Sequence, residues 1–335
     1  MQTRRLGQTD LELTAIGFGT WQFGGRWGGA DDSESEAAVH AALDAGINWI
    51  DTADIYGQGR AESIVGKVLR ARDDDVIVST KGGVAWEVSD QGLQIRREAS
   101  REYLTRALED SLSRLGLERV DIYHVHWPVT GVSAEETIGT LLDLKRAGKI
   151  GAIGVSNYDL ADLEATDGVG QIDALQNGYH LMRRDIEDGA IAWCKEHGVG
   201  VLAYGPLAHG LLTGRMRAGT TFPDNDWRAA SELFTDEHFS DRIEAVSELE
   251  GLAQASGRTG GVAELAVAWV LRRPEVASAI VGGRSPAQVA SLAGWATTPL
   301  SADEESRIEE ILAGHPGTDI HYSHGEPPNR NADDS

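Results

Sequence analysis

The sequence predicts an α/β protein, a (β/α)8 TIM barrel preceded by an N-terminal β-hairpin and followed by an extra C-terminal helix. Eight short β-rich runs alternate with amphipathic stretches, at residues 16–19, 47–51, 76–80, 121–125, 150–155, 172–176, 200–203 and 279–281. That alternation builds parallel sheets. No Pro- or Ser-rich linker divides the 335 residues, which favours one closed barrel over two open sheets. The helices between the runs carry their own start and stop signals. Ser33 with Glu36, Ser133 with Glu136, Ser285 with Gln288 and Ser301 with Glu304 have capping-box spacing, and Gly46, Gly116 and Gly148 fall at helix ends.

In order along the chain, residues 4–6 and 11–13 flank a Gly-Gln-Thr-Asp turn, a hairpin placed to close the barrel floor. Leu104, Leu108, Leu112 and Leu115 share one face between Ser100 and Gly116, as an outer-layer helix requires. The longest departure from the alternation spans 207–261, where a barrel would carry a ligand-holding loop. Residues 301–313 form the extra helix. We expect a single domain over 1–335, its end at 315–335 being polar, marked by Pro327-Pro328, and extended or partly disordered.

Composition narrows the function. The 53 acidic against 30 basic side chains give a net charge of −23, which disfavours nucleic acid as a partner. The acidity belongs to a soluble enzyme, to a high-salt protein or to a docking surface for a basic partner, the first two being preferred. The single cysteine, Cys194, excludes internal disulfides and reads as a small buried hydrophobe. No apolar run is long enough for a signal-peptide core or a membrane span, so a cytoplasmic location with no membrane partner is expected.

In a barrel, chemistry belongs at the C-terminal strand ends. Asp51 closes the second run, Tyr56 follows in its loop, Lys81 ends the third and His126 the fourth. Tyrosine, with an ordinary pKa of about 10, is a poor acid unless its phenolate is favoured. A lysine held by an aspartate could favour it, and a histidine could orient the reacting oxygen, which makes the quartet a proton donor to a carbonyl. A carbonyl acid needs a hydride source. Gly17-Phe18-Gly19 lacks the third glycine of a dinucleotide fingerprint and no P-loop is present, so rim loops would have to hold a dinucleotide.

Here the sequence resembles the aldo-keto reductases, over almost its whole length. The segments that carry the resemblance are Gly17-Phe18-Gly19-Thr20-Trp21, Asp51-Thr52-Ala53-Asp54-Ile55-Tyr56-Gly57, Ser79-Thr80-Lys81, His126-Trp127-Pro128, Gly154-Val155-Ser156-Asn157, Gln176-Asn177-Gly178-Tyr179 and Tyr204-Gly205-Pro206-Leu207, the last continuing to Gly210-Leu211-Leu212-Thr213-Gly214-Arg215. With its Pro-Pro tail it is most similar to the bacterial general-stress-type branch.

The resemblance implies reduction of aldehydes and ketones with NADP(H) preferred and NAD(H) possible. It makes Tyr56 the general acid, Lys81 and Asp51 the groups that depress its pKa, and His126 the group that positions the carbonyl. Ser156, Asn157 and Gln176 then hold the nicotinamide carboxamide and Tyr204 lies under the ring. Gly19, Thr20, Trp21, Asp51, Gly205 and Leu207 complete that end of the cofactor site. Arg215 falls to the pyrophosphate, while Gly282, Arg284 and Gln288 precede or open a helix whose N-terminus suits an anion, with Arg284 on the adenosine 2′-phosphate. Gln288 stands where many members carry arginine and Gly205 where many carry serine. Trp21, Tyr56, Trp86 and Trp127 imply an apolar pocket for a small carbonyl substrate, whereas Trp269 and Trp295 read as packing on outer helices.

Two other readings compete. His124 and His126 lie two residues apart on one strand end, a possible metal pair for a barrel hydrolase, although a zinc site wants three protein ligands and we expect no metal. The other is a cofactor-binding regulatory protein with slow turnover.

Overall fold

The computed structural model describes residues 1–25, 27, 31–89 and 92–320. Strands β1 (Thr3–Arg5) and β2 (Glu12–Thr14) pair antiparallel, Arg4 opposite Leu13. The chain continues through β3 (Ile16–Gly19), β4 (Trp49–Asp51) and β5 (Ile77–Gly82). After a second hairpin, β6 (Val84–Ser89) and β7 (Gly92–Arg97), come β8 (Val120–Val125), β9 (Ile150–Ser156), β10 (Ala174–Gly178), β11 (Gly200–Tyr204) and β12 (Val276–Gly282). Strands β3, β4, β5 and β8 to β12 close a parallel barrel of eight, sealed where Ile280 pairs with Gly17. These are the eight runs read from sequence, with β4 and β10 starting two residues later.

Side chains alternate across a strand, so every second residue faces the barrel interior. On that face the character changes along the axis, from Ile122 through His124 to His126 on β8 and just beyond it, from Trp49 to Asp51 on β4 and from Leu202 to Tyr204 on β11. The lower end is apolar, with Leu6, Leu13, Trp49, Ile122, Ala152, Ala174 and Leu202 in one buried cluster. The β1–β2 hairpin thus plugs the floor, and Arg4 fastens it by donating to the carbonyls of Leu271 and Val276 at 2.8 Å each. Burying Leu6 and Leu13 contributes on the order of 1.5–3 kcal/mol each. Close approach inside the barrel depends on glycine: a Cβ at Gly17 would overlap the Trp49 indole, and one at Gly154 the His124 ring.

Helices cover the outside. Helix Arg101–Leu115 starts at Ser100, whose hydroxyl accepts from Tyr103 N, and stops at Gly116 in the left-handed conformation. Its buried face carries Leu104, Leu108, Leu112 and Leu115 as predicted. Ser301 and Glu304 form a complete capping box on the extra helix Ala302–Ala313, and Ser133 caps helix Ala134–Arg146.

Four details differ from the sequence reading. Helix Asp32–Asp44 is capped by Asp31 rather than Ser33, because Asp31 accepts from Ser33 N at 2.6 Å. Ser285 makes no side-chain cap, since Gln288 turns back to accept from Arg284 N at 2.9 Å. Segment 207–261 is not one loop, because it contains helix Phe239–Ala255, whose buried stripe of Phe239, Ala245, Val246 and Leu249 is masked in sequence by five acidic and basic neighbours. The β6–β7 hairpin went unseen, since Leu93 and Ile95 alternate with polar Gln94 and Arg96 inside a connection expected to be loop.

The segment read as tail begins packed. Gly317 N donates to Asp241 Oδ2 at 2.7 Å, Arg242 Nε donates to Gly317 O at 2.7 Å, and Ile320 N donates to Met182 O at 3.0 Å. Residues 321–335, including Pro327-Pro328, lie outside the described residues. His315 sits between Asp241, 2.6 Å from its Nδ1, and Glu248, 3.2 Å from its Nε2. The Asp241 hydrogen bond, helped by Glu248, holds the imidazolium above the ordinary value of 6.5. A raised histidine stabilises the fold fully below its unfolded pKa and stops doing so as pH rises through the folded one. His315→Gln is therefore expected to lower the melting temperature at pH 6 and to matter progressively less toward pH 9, as thermal melts across that range would register.

Candidate active site

The polar end of the barrel gathers the predicted quartet. Lys81 Nζ lies 2.7 Å from Asp51 Oδ2 and donates also to Thr52 O at 2.9 Å. Asp51 Oδ1 accepts from Ser79 Oγ at 3.0 Å and from Gln176 Nε2 at 2.8 Å, so both carboxylate oxygens are engaged. Lysine and aspartate are almost fully buried, at 1% and 5% side-chain exposure, which fixes the ammonium. It stands 5.3 Å from the centre of the Tyr56 ring, which also meets the His126 ring at 5.9 Å and 76°. The loop carrying Tyr56 is tied to the same strand ends, since Thr52 N donates to Ser79 O and Asp54 N to Lys81 O.

The electrostatics correct one expectation. Tyr56 is pushed up well above the ordinary phenol, first by burial and then by the Asp51 carboxylate, where Lys81 and Asp51 had been expected to depress it. Burial penalises the charged phenolate most, and the Asp51 carboxylate, although it holds the Lys81 ammonium, adds to that penalty. The phenol therefore keeps the proton it would donate. His126 is held neutral by burial and by the cation of Lys81, and its buried Nδ1 has no hydrogen-bond partner among the described residues.

Beside the quartet lies an amide-rich wall. Asn157, in the left-handed region at φ 61°, donates through Nδ2 to His126 O at 2.9 Å and to Ser156 Oγ at 3.1 Å. Its Oδ1 accepts from Tyr204 OH at 2.8 Å, and Arg183 Nη1 donates to that same hydroxyl oxygen at 3.2 Å. Ser156 Oγ donates to Gln176 O at 2.8 Å. Gln176 spends its amide nitrogen on Asp51, which leaves its Oε1 without a protein donor. Ser156, Asn157, Gln176 and Tyr204 are thus one network joined directly to Asp51 and His126. A carboxamide next to a flat ring fits such a set of donors, acceptors and an aromatic face.

Other predicted cofactor residues divide by role. Gly19 pairs with Asp51 across β3 and β4, and Thr20 spends its amide and hydroxyl on Asp51 O, so both shape the strand end. Leu207 O anchors the turn 208–213 after β11, and Gly205 precedes it at φ 65°. Arg215 is exposed and makes no hydrogen bond or ion pair among the described residues, which leaves it available to an anion. Gly282 and Arg284 leave β12 at the same rim. The helix after them, Pro286–Ala290, has five residues and opens on a proline with no N–H, and the Arg284 amide before it is taken by Gln288 Oε1, so it is a weaker anion site than expected.

Aromatic residues line the mouth. Trp21 packs against Trp27 at 5.1 Å, His209 at 5.4 Å and Trp227 at 5.4 Å, with Arg228 over Trp27 at 4.8 Å. Burial, helped by the Arg183 and Arg228 cations, pushes His209 down to about 3, so its ring is neutral at this wall. Trp127 lies beneath the Arg97 guanidinium of β7 at 4.5 Å. Trp86 is half-buried on β6 opposite Ile95, and no ring contact joins it to Trp21 or Trp127 among the described residues. Sequence reasoning missed Trp27, Arg183, His209 and Trp227, because each lies off the strand ends and reaches the rim through loops. Trp269 is core, as expected.

Comparison with known proteins identifies the family. The family model "Aldo/keto reductase family" matches residues 15–313. The aldo-keto reductase YhdN of Bacillus subtilis (strain 168) is 37% identical over 316 residues, 93% of this chain and 94% of that protein. This chain belongs to the aldo/keto reductase family. Among solved structures, the glycerol dehydrogenase AKR11B4 from Gluconobacter oxydans matches the reductase with TM-score 0.88 and 35% identity, covering 96% of this chain and 98% of the other. An aldo/keto reductase from Klebsiella pneumoniae in complex with NADP and acetate matches with TM-score 0.71 and 29% identity, covering 92% and 95%.

The hydrolase reading is not supported. In the reductase His124 is fully buried against Gly154, and burial pushes it down to about 3. Among the described residues the only close group of possible metal ligands is Asp241, Glu244 and His315, on the outer helix and the C-terminal segment rather than at the rim.

Proposed function

We propose that this oxidoreductase converts aldehydes and ketones to alcohols with NADP(H), using Tyr56 as the proton donor. The observation that carries this reading is the Lys81 ammonium, locked between Asp51 and Thr52 O beside a protonated Tyr56, with neutral His126 packed against the same phenol. The reduced nicotinamide, when bound, supplies the hydride. Gln176, Asn157 and Ser156 would hold its carboxamide, Tyr204 its ring, and Arg215 and Arg284 its phosphates. The NADP complex of the Klebsiella pneumoniae relative supports that cofactor class.

A carbonyl oxygen placed between Tyr56 and His126 meets two neutral hydrogen-bonding groups. His126 orients the oxygen, and Tyr56 passes its proton to it as negative charge develops there. Lys81 then compensates the phenolate left behind, and Asp51 keeps the ammonium within reach. The aromatic wall around Trp21 takes the organic body of the substrate and excludes water. One buried free cysteine, Cys194, fits action in a reducing compartment such as the cytoplasm.

The test is NADPH consumption with a panel of aldehydes and ketones; no aldehyde-dependent oxidation by cofactor-loaded protein would overturn the reading. Within the panel, Trp21→Ala is expected to raise KM for aromatic aldehydes roughly 10-fold, the low end for a change in a hydrophobic pocket. KM for the smallest aldehydes should stay nearly constant, which the same assay measures.

A further inference from the structure

We propose that Asp31 and Glu34 set the cofactor discrimination of this reductase, opposing a 2′-phosphate and accepting a 2′-hydroxyl, so that NADH serves beside NADPH. The inference rests on the cofactor site proposed above and deepens it at the adenosine end. There a cavity of about 220 Å³ is lined by Phe23, Asp31, Glu34, Arg284, Ser285 and Gln288. One side offers the guanidinium that a phosphate would want. The facing side, the first turn of helix Asp32–Asp44 with its cap, offers two carboxylates.

Each side of the cavity follows a different recognition logic. An arginine at the ribose accommodates a 2′-phosphate, while an acidic side chain there takes the hydrogen bond of a free 2′-hydroxyl. A phosphate monoester carries close to two negative charges at neutral pH, so a facing carboxylate repels it, whereas a hydroxyl is a donor that a carboxylate welcomes. Asp31 is equipped for the second role. Its bonds from Ser33 N and Oγ both fall on Oδ1 at 2.6 Å and the Glu34 amide also faces the carboxylate, which still leaves acceptor lone pairs for a ligand hydroxyl.

The phosphate side is correspondingly weak. Arg284 Nη1 donates to Trp27 O at 2.7 Å, a bond that must be shared or released for the guanidinium to serve a phosphate. Arg284 N is taken by Gln288 Oε1, so the side chain that could have added a second donor instead presents its acceptor to the backbone. One tethered cation against two carboxylates does not strongly favour the extra phosphate. The overall charge of −23 acts in the same direction.

Fluorescence titration of the full-length protein with NADPH and with NADH tests this, comparing wild type, the pair Asp31→Asn with Glu34→Gln, and Arg284→Ala. Asparagine keeps the helix cap. Wild type is expected to bind the two cofactors within about 10-fold of each other. Neutralising both acids should shift the affinity ratio toward NADPH by roughly 10-fold, as removing two nearby like charges at moderate screening implies. Arg284→Ala should weaken NADPH and leave NADH nearly unchanged. A ratio that moves less than twofold in the acid variant overturns the proposal while the reductase assignment stands. NADPH affinity unaffected by Arg284→Ala also overturns it, by removing the 2′-phosphate from this cavity. A wild type that binds neither cofactor would instead overturn the cofactor reading itself.

Discussion

Replacing Tyr56 by phenylalanine is expected to lower kcat for carbonyl reduction by about 10³-fold and to leave cofactor affinity within about twofold. A positioned general acid contributes roughly 10²–10⁴ in rate. No other described side chain at the rim is placed to replace it: His126 is neutral, with its ring against Tyr56, and Lys81 is spent on Asp51 and Thr52 O. The phenol hydroxyl makes no hydrogen bond among the described residues, so its removal breaks no structural contact. Steady-state turnover and a cofactor titration on the same preparation separate the two effects. Turnover unchanged in the variant would remove Tyr56 from the mechanism.

Lys81→Met is expected to cost both activity and stability, and the two losses come apart in the double variant. Taking the cation away leaves the Asp51 carboxylate buried with only Ser79 and Gln176 as donors. Removing one partner of a buried pair costs about 3–5 kcal/mol, and those two remaining bonds place this site near the lower value. Adding Asp51→Asn removes the stranded charge, so most of the stability should return, with the midpoint of denaturant unfolding as the measure. Activity should stay at least about 10²-fold below wild type in both, because no ammonium remains to compensate a phenolate. A double variant as unstable as the single one would mean that Lys81 contributes through packing rather than charge.

The barrel was legible because its eight strands are short apolar runs whose interior faces obey a period of two, and because helix ends carry local chemistry such as Ser100 and Gly116 or Ser301 and Glu304. The β6–β7 hairpin was not, since exposed Glu87, Gln94 and Arg96 alternate with its apolar residues inside a connection, and neither was helix Phe239–Ala255, whose apolar stripe is diluted by charge. The quartet was legible for a related reason. Asp51, Lys81 and His126 sit where the inward face of a strand changes from apolar to polar, a change visible in the order of residues. Trp27, His209 and Trp227 come from loops whose path no periodicity records. The direction of the Tyr56 shift is set first by how deeply the fold buries the phenol and then by the nearness of the Asp51 carboxylate, neither of which the order of residues records.

The small-against-large fit inside the barrel has an evolutionary consequence. Gly17 exists to admit the Trp49 indole and Gly154 to admit the His124 ring, partners far apart in sequence and on neighbouring strands. A side chain added at either glycine is harmful on its own, and shrinking Trp49 alone opens a cavity, a loss of about 3–5 kcal/mol for an aromatic residue. Yet the two changes together restore volume. Each pair is therefore a site of sign epistasis: descendants of this sequence reach a different filling of the barrel only through double replacements, so these positions should drift as couples or not at all.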